Sequence, residues 1–199
     1  MGYAQKAVKY FEPEDYLLLE NLAKNKHEYM DGVIYAWQGT TIRGMAGASL
    51  DHSRVCRNLT TYLQSVFSRH GCEAIATDLR VRPDRNSAYF YPDVSVRCGN
   101  QTPGTALEID DACLIVEVLS ATTEGFDRQD KFDRYKKMAS LRSYVLVDPS
   151  VRTIEIFQRD QQWQVNTLDN IYDLGMFDLK LDPAVVFEGI GTSPQISAP

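Results

Sequence analysis

The sequence lacks the hydrophobic segments of secreted and membrane proteins. No stretch of its 199 residues approaches the roughly 18 consecutive apolar residues that a membrane-spanning helix needs. The N-terminal residues likewise contain no apolar core of signal-peptide length. These absences predict a cytoplasmic protein without a membrane partner.

Cysteine is scarce, and its spacing does not suit zinc. Cys56, Cys72, Cys98 and Cys113 form no C-x-x-C pair and have no histidine at a zinc-ligand offset. We therefore expect four buried, reduced thiols. A chain of this length, with 44% apolar residues, can build a core without disulfides or structural metal, so any metal should serve chemistry.

Several catalytic and organisational signatures are also missing. The chain has no G-x-S-x-G elbow, no G-x-x-x-x-G-K-[ST] loop and no G-x-G-x-x-G turn. The sequence therefore does not support an acyl-transfer enzyme or a nucleotide-binding protein. Internal repeats, low-complexity runs and Gly/Ser/Pro-rich linkers are absent too. We predict one domain over 1–199, with a core of about 13–168 and an irregular tail at about 189–199.

Positive charge is sparse overall but unevenly distributed. The net charge is −6, yet residues 1–100 carry 12 Lys+Arg against 11 Asp+Glu, a balance of +1. Residues 101–199 carry 9 against 16, a balance of −7. The chain is therefore not a basic protein, but its first half can present a local basic face to nucleic acid.

The apolar periodicity predicts an α/β (α+β) chain, with a mixed central β-sheet flanked by helices and an N-terminal helix and hairpin. Asp31-Gly32 marks the hairpin, since glycine accepts a positive φ without cost. Helices are predicted at about 13–25, 51–69 and 127–139. Strands are predicted at 73–82, 89–98, 113–119, 143–148, 153–159 and 162–168.

Glu117 is the most informative residue because it interrupts an apolar strand, Leu114 to Leu119. An ionised carboxylate on a buried face costs several kcal/mol unless a cation or hydrogen-bond donors compensate. Three interpretations remain open for Glu117: a metal or catalytic role, a structural ion pair, or an exposed strand end.

Two further charged residues could complete a site with Glu117. Asp93 follows Pro92, which favours an edge or bend where the acid is presented, although a simple turn residue is the alternative. Two carboxylates on neighbouring strands can hold a hard divalent ion such as Mg²⁺. Lys131 lies on the helix after the Glu117 strand and supplies a cation, unless it belongs to the solvated helix face. His52, at a helix start, either contacts a phosphate or caps the helix.

These residues together resemble the PD-(D/E)xK, or restriction-endonuclease-like, nucleases, and most closely their Uma2 family. The resemblance covers about 16–157. It depends on the following segments: His27 to Gly32, Asp51-His52-Ser53, Tyr91 to Val94, Ile115 to Ser120, Asp127 with Lys131 and Tyr135, and Tyr144 to Pro149. The sequence departs from the superfamily motif at Leu119, where a lysine is usual, and Lys131 matches the lysine that this family carries on the next helix.

The resemblance implies a restriction-endonuclease-like fold and a metal-dependent endonuclease, with DNA as the expected substrate and Mg²⁺ or Mn²⁺ as cofactor. It implies that Asp93 and Glu117 bind the metal together with the Val118 backbone carbonyl. Glu28 and Lys131 complete the implied catalytic set, in which Glu28 either joins the metal site or orients Lys131.

The expected nucleic-acid contacts lie in the mildly basic segment 43–97, which carries 8 Arg against 5 acids. The candidates are His52, Arg54, Arg57, Arg80, Arg82 and Arg85. A homodimer is expected as the simple route to cutting both strands. The alternative function is a catalytically weak or inactive nuclease-like module that binds nucleic acid.

Overall fold

The computed structural model describes residues 10–36, 49–76, 78–84, 87–99, 102–121, 123–166 and 172–191. Its first helix, α1 (Pro13–Leu22), begins with a proline and an acidic first turn, both favourable at a helix N-terminus. The helix ends before the predicted residue 25, because Ala23 is extended. Within the described residues, no helix combines the length and apolarity needed to cross a bilayer.

The predicted N-terminal hairpin is confirmed. Strands β1 (His27–Met30) and β2 (Val33–Ala36) pair antiparallel. Asp31 and Gly32 between them both have positive φ, 48° and 85°, as a tight two-residue hairpin turn requires. Glu28 therefore lies on a strand whose register is fixed by the turn.

The second helix, α2 (Leu50–Phe67), is capped by Ser49, whose side chain accepts a hydrogen bond from the His52 backbone N–H at 3.1 Å. A 3₁₀ turn, Ser68–His70, continues it. The buried stripe of α2 packs into the main apolar core and includes Val55, Leu59, Leu63 and Phe67. This packing holds the first turn of α2, with His52, next to the strands below it.

The described strands form two mixed sheets, and the predicted α+β class is confirmed. A five-stranded sheet has the order β2-β1-β5-β4-β7, and a six-stranded sheet has the order β11-β10-β9-β8-β6-β3. The remaining strand bounds are β3 (Glu73–Ala76), β4 (Arg80–Asp84), β5 (Ala88–Phe90), β6 (Val94–Arg97), β7 (Glu108–Ile109), β8 (Ala112–Val118), β9 (Ser143–Asp148), β10 (Thr153–Gln158), β11 (Val165–Asn166), β12 (Tyr172–Asp173) and β13 (Lys180–Leu181). The last two form a separate ribbon.

Two of the predicted strands are wrong for the same reason: each one corresponds to two shorter strands that belong to different sheets. The predicted strand 73–82 divides into β3 and β4, and 89–98 divides into β5 and β6. Pro92 lies at the second break and has no N–H to offer a strand ladder. The chain therefore passes from one sheet to the other at Tyr91 to Asp93, which places Asp93 at the junction of the sheets.

The helix predicted at 127–139 begins earlier and has an unusual centre. It consists of α3 (Glu124–Phe126), a π-helical turn (Asp127–Lys131) and α4 (Phe132–Tyr135) in direct succession. π-helical turns are rare and frequently occur at functional sites. The predicted strand 162–168 is confirmed only as β11, since residues 167–171 lie outside the described part of the chain. A final short helix, α5 (Pro183–Val186), follows β13.

The expectation of four reduced thiols is wrong for two of them. Cys72 and Cys98 form a disulfide. They flank the β3–β6 ladder, in which Glu73 pairs with Arg97, so the two cysteines continue the same antiparallel register. Cys56 and Cys113 are free, and Cys113 is buried. Sequence spacing cannot reveal this pairing, because it depends on which strands become neighbours.

Candidate active site

Asp93 is held in a fixed orientation where the two sheets meet. It is 8% exposed, and its Oδ2 accepts a hydrogen bond from the Val118 backbone N–H at 2.7 Å. Its other oxygen, Oδ1, lies 3.5 Å from His52 Nε2. The strand β6 that begins one residue later pairs with β8, with Val94 opposite Val116, and this register brings Asp93 beside the end of β8. Asp93 therefore lies in a bend of the chain, as its proline predicts, and it is buried there rather than exposed to solvent.

Glu117 lies on β8, a strand that is buried along its whole length. Only 2% of the residue is exposed, so the interpretation as an exposed strand end is wrong. The Tyr135 hydroxyl donates to Glu117 Oε1 at 3.4 Å. Burial raises the pKa of Glu117 well above its usual range, although the nearby Lys131 ammonium acts in the opposite direction.

Lys131 is surrounded by carboxylates rather than by solvent. Its Nζ lies 2.9 Å from Glu28 Oε1, 3.1 Å from Asp127 Oδ1 and 3.4 Å from Glu117 Oε1, and the residue is 5% exposed. Burial lowers the pKa of Lys131, but the charges of Glu117 and Glu28 outweigh this effect and raise it well above its usual value. Lys131 is thus a buried ammonium, and its interpretation as part of a solvated face is wrong.

The buried acids outnumber the buried lysine at this position. Glu28, Asp93, Glu117 and Asp127 are all buried around Lys131 or its neighbours. If every acid is ionised and His52 is neutral, one ammonium leaves three negative charges uncompensated. Burial accordingly raises the pKa of Glu28 as well. A divalent cation fits this donor set, because it would compensate carboxylates that are otherwise costly to ionise.

Two contacts fix the supporting residues of the cluster. Glu28 Oε1 accepts the Tyr91 backbone N–H at 3.1 Å, which ties β1 to the chain segment just before Asp93. The Tyr144 hydroxyl donates to the Asp127 carbonyl at 2.7 Å, which ties the π-helical turn to β9. Asp127 Oδ1 itself has no hydrogen-bond partner within the described residues, although it lies close to the Lys131 ammonium. Its negative charge is therefore only partly satisfied.

His52 and Cys56 border the cluster from α2. His52 Nδ1 lies 3.5 Å from Cys56 Sγ, one helical turn further along. Burial lowers the pKa of His52, but the adjacent Asp93 carboxylate outweighs it and the net pKa is raised. Burial, with the adjacent Asp93 charge, raises the pKa of the Cys56 thiol. Both side chains are half-buried and lie close to Asp93.

The predicted arginines do not converge on this cluster. Arg54 and Arg57 extend from α2, where Arg54 pairs with Asp51 at 2.9 Å and Arg57 is exposed and donates to Asn58 at 3.2 Å. Arg82 pairs with Glu108 at 3.1 Å and Asp110 at 2.7 Å. Arg80 is only 4% exposed, so it has no surface to offer a phosphate. Arg85 lies outside the described residues.

Two members of the cluster were not among the predicted catalytic residues. The sequence places Asp127 one helical turn before Lys131, but only the structure shows that Asp127 is buried against it. Cys56 follows His52 by four residues, which is the helical spacing of side chains on one face. That spacing is the signal that could have identified Cys56.

Comparisons with known proteins agree with this architecture. A family model for Uma2, described as "Putative restriction endonuclease", matches residues 13–175. Two uncharacterized proteins of Synechocystis are 35% and 32% identical to the chain; each alignment covers 77% of this chain, and 77% and 85% of the respective relative. A crystal structure from Anabaena variabilis, titled as a putative nuclease belonging to DUF820, has a TM-score of 0.69. It is 18% identical, and the match covers 89% of this chain and 97% of that one, which shows a shared fold.

Proposed function

We propose, from the premise that this chain belongs to the Uma2 family of putative restriction endonucleases, that it is a metal-dependent endonuclease with DNA as its substrate. The observation that carries the proposal is the buried group of acids around a single lysine, where Asp93, Glu117 and Lys131 come from three separate segments of the chain. Purely structural ion pairs do not require so large an excess of negative charge. The family and the shared fold support a nuclease.

Asp93, Glu117 and the Val118 carbonyl are the proposed ligands of Mg²⁺ or Mn²⁺. Carboxylate and carbonyl oxygens are the donors that both ions take in proteins. When bound, the ion would lower the pKa of a water molecule and neutralise charge on the scissile phosphate. Asp93 is prepared for this role because the Val118 N–H already fixes one of its oxygens at 2.7 Å.

Lys131 is the proposed catalytic cation. Its ammonium, held between Glu28 and Asp127, would orient the attacking water and stabilise the negative charge that develops on the phosphate. Glu28 acts through Lys131 in this proposal and is a positioning residue. The missing lysine at Leu119 is thereby replaced from the following helix, and the 3.4 Å separation of Lys131 from Glu117 supports that replacement.

Nucleic acid is proposed to meet the molecule along α2. Arg54 and Arg57 lie on the same helix as His52 and supply its positive charge, although Asp51 pairs with Arg54 at 2.9 Å. Arg80 is not retained because it is buried, and the two acids paired with Arg82 already compensate its charge. A homodimer and a cytoplasmic location remain predictions of the sequence.

The test is nicking of supercoiled plasmid by the purified chain. We expect cleavage with Mg²⁺ or Mn²⁺, none with a chelator, and loss of cleavage in Asp93→Asn and Glu117→Gln. Asp133→Asn is the matched control, since it removes an exposed acid on α4 that pairs with Lys136. Cleavage at the wild-type rate by folded Glu117→Gln would contradict the proposal, and metal binding without cleavage would favour an inactive binding module.

A further inference from the structure

We propose that His52, Cys56 and Asp93 form a metal position that selects a borderline transition-metal ion, of the Zn²⁺ and Co²⁺ class, over Mg²⁺. One ligand atom from each of the three residues lies within 4.8 Å of the other two. This inference deepens the proposed function, since it shares Asp93 with the proposed catalytic metal site. It assigns a role to Cys56, which the proposed hydrolysis does not use.

The three side chains converge because of where their elements lie. His52 and Cys56 occupy adjacent turns on one face of α2, and their Nδ1 and Sγ atoms are 3.5 Å apart. The other ring nitrogen, Nε2, lies 3.5 Å from Asp93 Oδ1 across the gap between α2 and the start of β6, so only one of these two contacts involves the nitrogen that would bind the ion. The Ser49 cap and the Val118 N–H fix the two ends of this arrangement.

The spacing suits one ion after a small adjustment. Bonds of about 2.0 to 2.3 Å at tetrahedral angles separate neighbouring ligand atoms by roughly 3.3 to 3.6 Å. The three atoms lie within 4.8 Å of one another, so they must approach by at most about 1.5 Å to reach these tetrahedral spacings. His52 and Cys56 are half-buried, and rotation of their side chains toward Asp93 would have to supply this movement.

The donor atoms determine which ion this position prefers. Mg²⁺ takes oxygen ligands and keeps several waters, so it gains nothing from a thiolate. A thiolate, an imidazole and a carboxylate together are ligands that Zn²⁺ and similar ions favour. Three protein ligands also leave a fourth position open, as in catalytic rather than structural zinc sites. Cys56 is therefore the residue that distinguishes this centre from an all-oxygen magnesium site.

The test uses absorption of Co²⁺ added to the full chain after metal removal, without added thiol. A cysteine ligand gives a thiolate-to-cobalt charge-transfer band in the near ultraviolet. We expect this band in the wild type, its loss in Cys56→Ser, and Zn²⁺ binding that is weaker by at least about tenfold in that variant by calorimetry. Cys113→Ser, which removes the other free thiol, is the matched control and should retain both signals.

A wild type without the band, or a band that survives Cys56→Ser, overturns the inference. His52→Gln provides a second variant that keeps Cys56 and should still weaken Zn²⁺ binding by at least about tenfold. The outcome is separable from the proposed function. A chain that shows the band but cleaves no DNA with any metal contradicts only the nuclease, whereas a Mg²⁺-dependent nuclease without the band contradicts only this inference.

Discussion

At the level of single residues, the chemistry depends on charges that the fold has taken out of water. Glu117, Glu28 and Asp127 all lie within 3.4 Å of one ammonium, on Lys131. The sequence alone identifies Glu117, because an acid inside an apolar strand is costly and so needs a reason. It cannot show that Asp127 is buried, since an acid on a helix is usually solvated. The contacts of Lys131 therefore had to come from the structure.

Replacing Lys131 tests the catalytic role proposed for it. We expect Lys131→Gln to lower kcat for plasmid nicking by about 100-fold or more, the loss typical of removing one charge-stabilising donor. Mn²⁺ binding, measured by calorimetry, should persist because the metal ligands remain. Lys137→Gln removes an exposed lysine of the same segment and should cleave normally. A folded, Mn²⁺-binding Lys131→Gln protein with wild-type kcat would show that the ammonium is not catalytic.

The raised pKa of Glu117 predicts a particular pH dependence of stability. A carboxyl whose pKa is raised by folding stabilises the protein below its unfolded pKa, and this contribution is lost as pH rises through its folded pKa. Without metal, Glu117→Gln should therefore gain stability relative to the wild type as pH rises from 5 to 8, by at most about 1.4 kcal/mol per pH unit.

Urea denaturation in a chelator, repeated across this pH range, measures the difference. Saturating Mn²⁺ should reverse it at pH 8, because bound metal stabilises the ionised wild-type carboxylate and not the amide. A constant difference between the two proteins across the pH range would mean that Glu117 does not titrate with a raised pKa.

At the level of elements, interruptions of regular structure create the site. Pro92 ends one strand and lets the chain change sheets, so that Asp93 lies beside the end of β8. The π-helical turn likewise interrupts a regular helix, and it contains both Asp127 and Lys131. Periodicity predicted strands and helices of the right type, but it joined β5 to β6 and β3 to β4. Which sheet a short strand enters is decided by tertiary pairing and not by its own pattern.

The Cys72–Cys98 disulfide is predicted to stabilise the pairing of β3 with β6, the strand that begins directly after Asp93. It closes a loop with a sequence separation of 26 residues. The chain-entropy relation gives about 3.5 kcal/mol for such a loop, as an upper figure. We expect the Cys72→Ser/Cys98→Ser double variant to lose up to about that free energy of unfolding, by the same relation.

Denaturation of this double variant should be compared with that of Cys113→Ser, which leaves the disulfide intact. Adding a reductant should lower the stability of the wild type and leave the double variant unchanged. Equal unfolding free energies for the wild type under oxidising and reducing conditions would contradict a stabilising disulfide.

At the level of the whole molecule, the proposed function requires an acidic chain to approach an acidic polymer. The net charge of −6 repels nucleic acid, and the acidic cluster repels phosphate further until a cation occupies it. The mild excess of arginine in residues 43–97 was readable from the sequence. The sequence could not show where these arginines lie. Because Arg80 is buried and acids compensate the charge of Arg82, only part of the arginine excess is presented on the surface.

DNA binding should therefore depend on salt through the arginines of α2. We expect a steep fall in affinity for labelled duplex as salt rises, measured by anisotropy in a chelator to prevent cleavage. Arg54→Gln/Arg57→Gln should weaken binding and reduce the slope of log K against log salt by about 2. Arg69→Gln, at the far end of α2, is the control. An affinity for DNA that does not change with salt concentration would show that these arginines do not contact the phosphates.

The most direct test of a metal centre at Asp93 and Glu117 is a crystal soaked in Mn²⁺ and measured for anomalous scattering. We expect an anomalous peak within coordination distance, about 2.0 to 2.6 Å, of both carboxylates, with the Lys131 ammonium still in the site. A site without anomalous density, in which Lys131 alone continues to pair with Glu28, Glu117 and Asp127, would contradict it and leave a structural ion-pair network in its place.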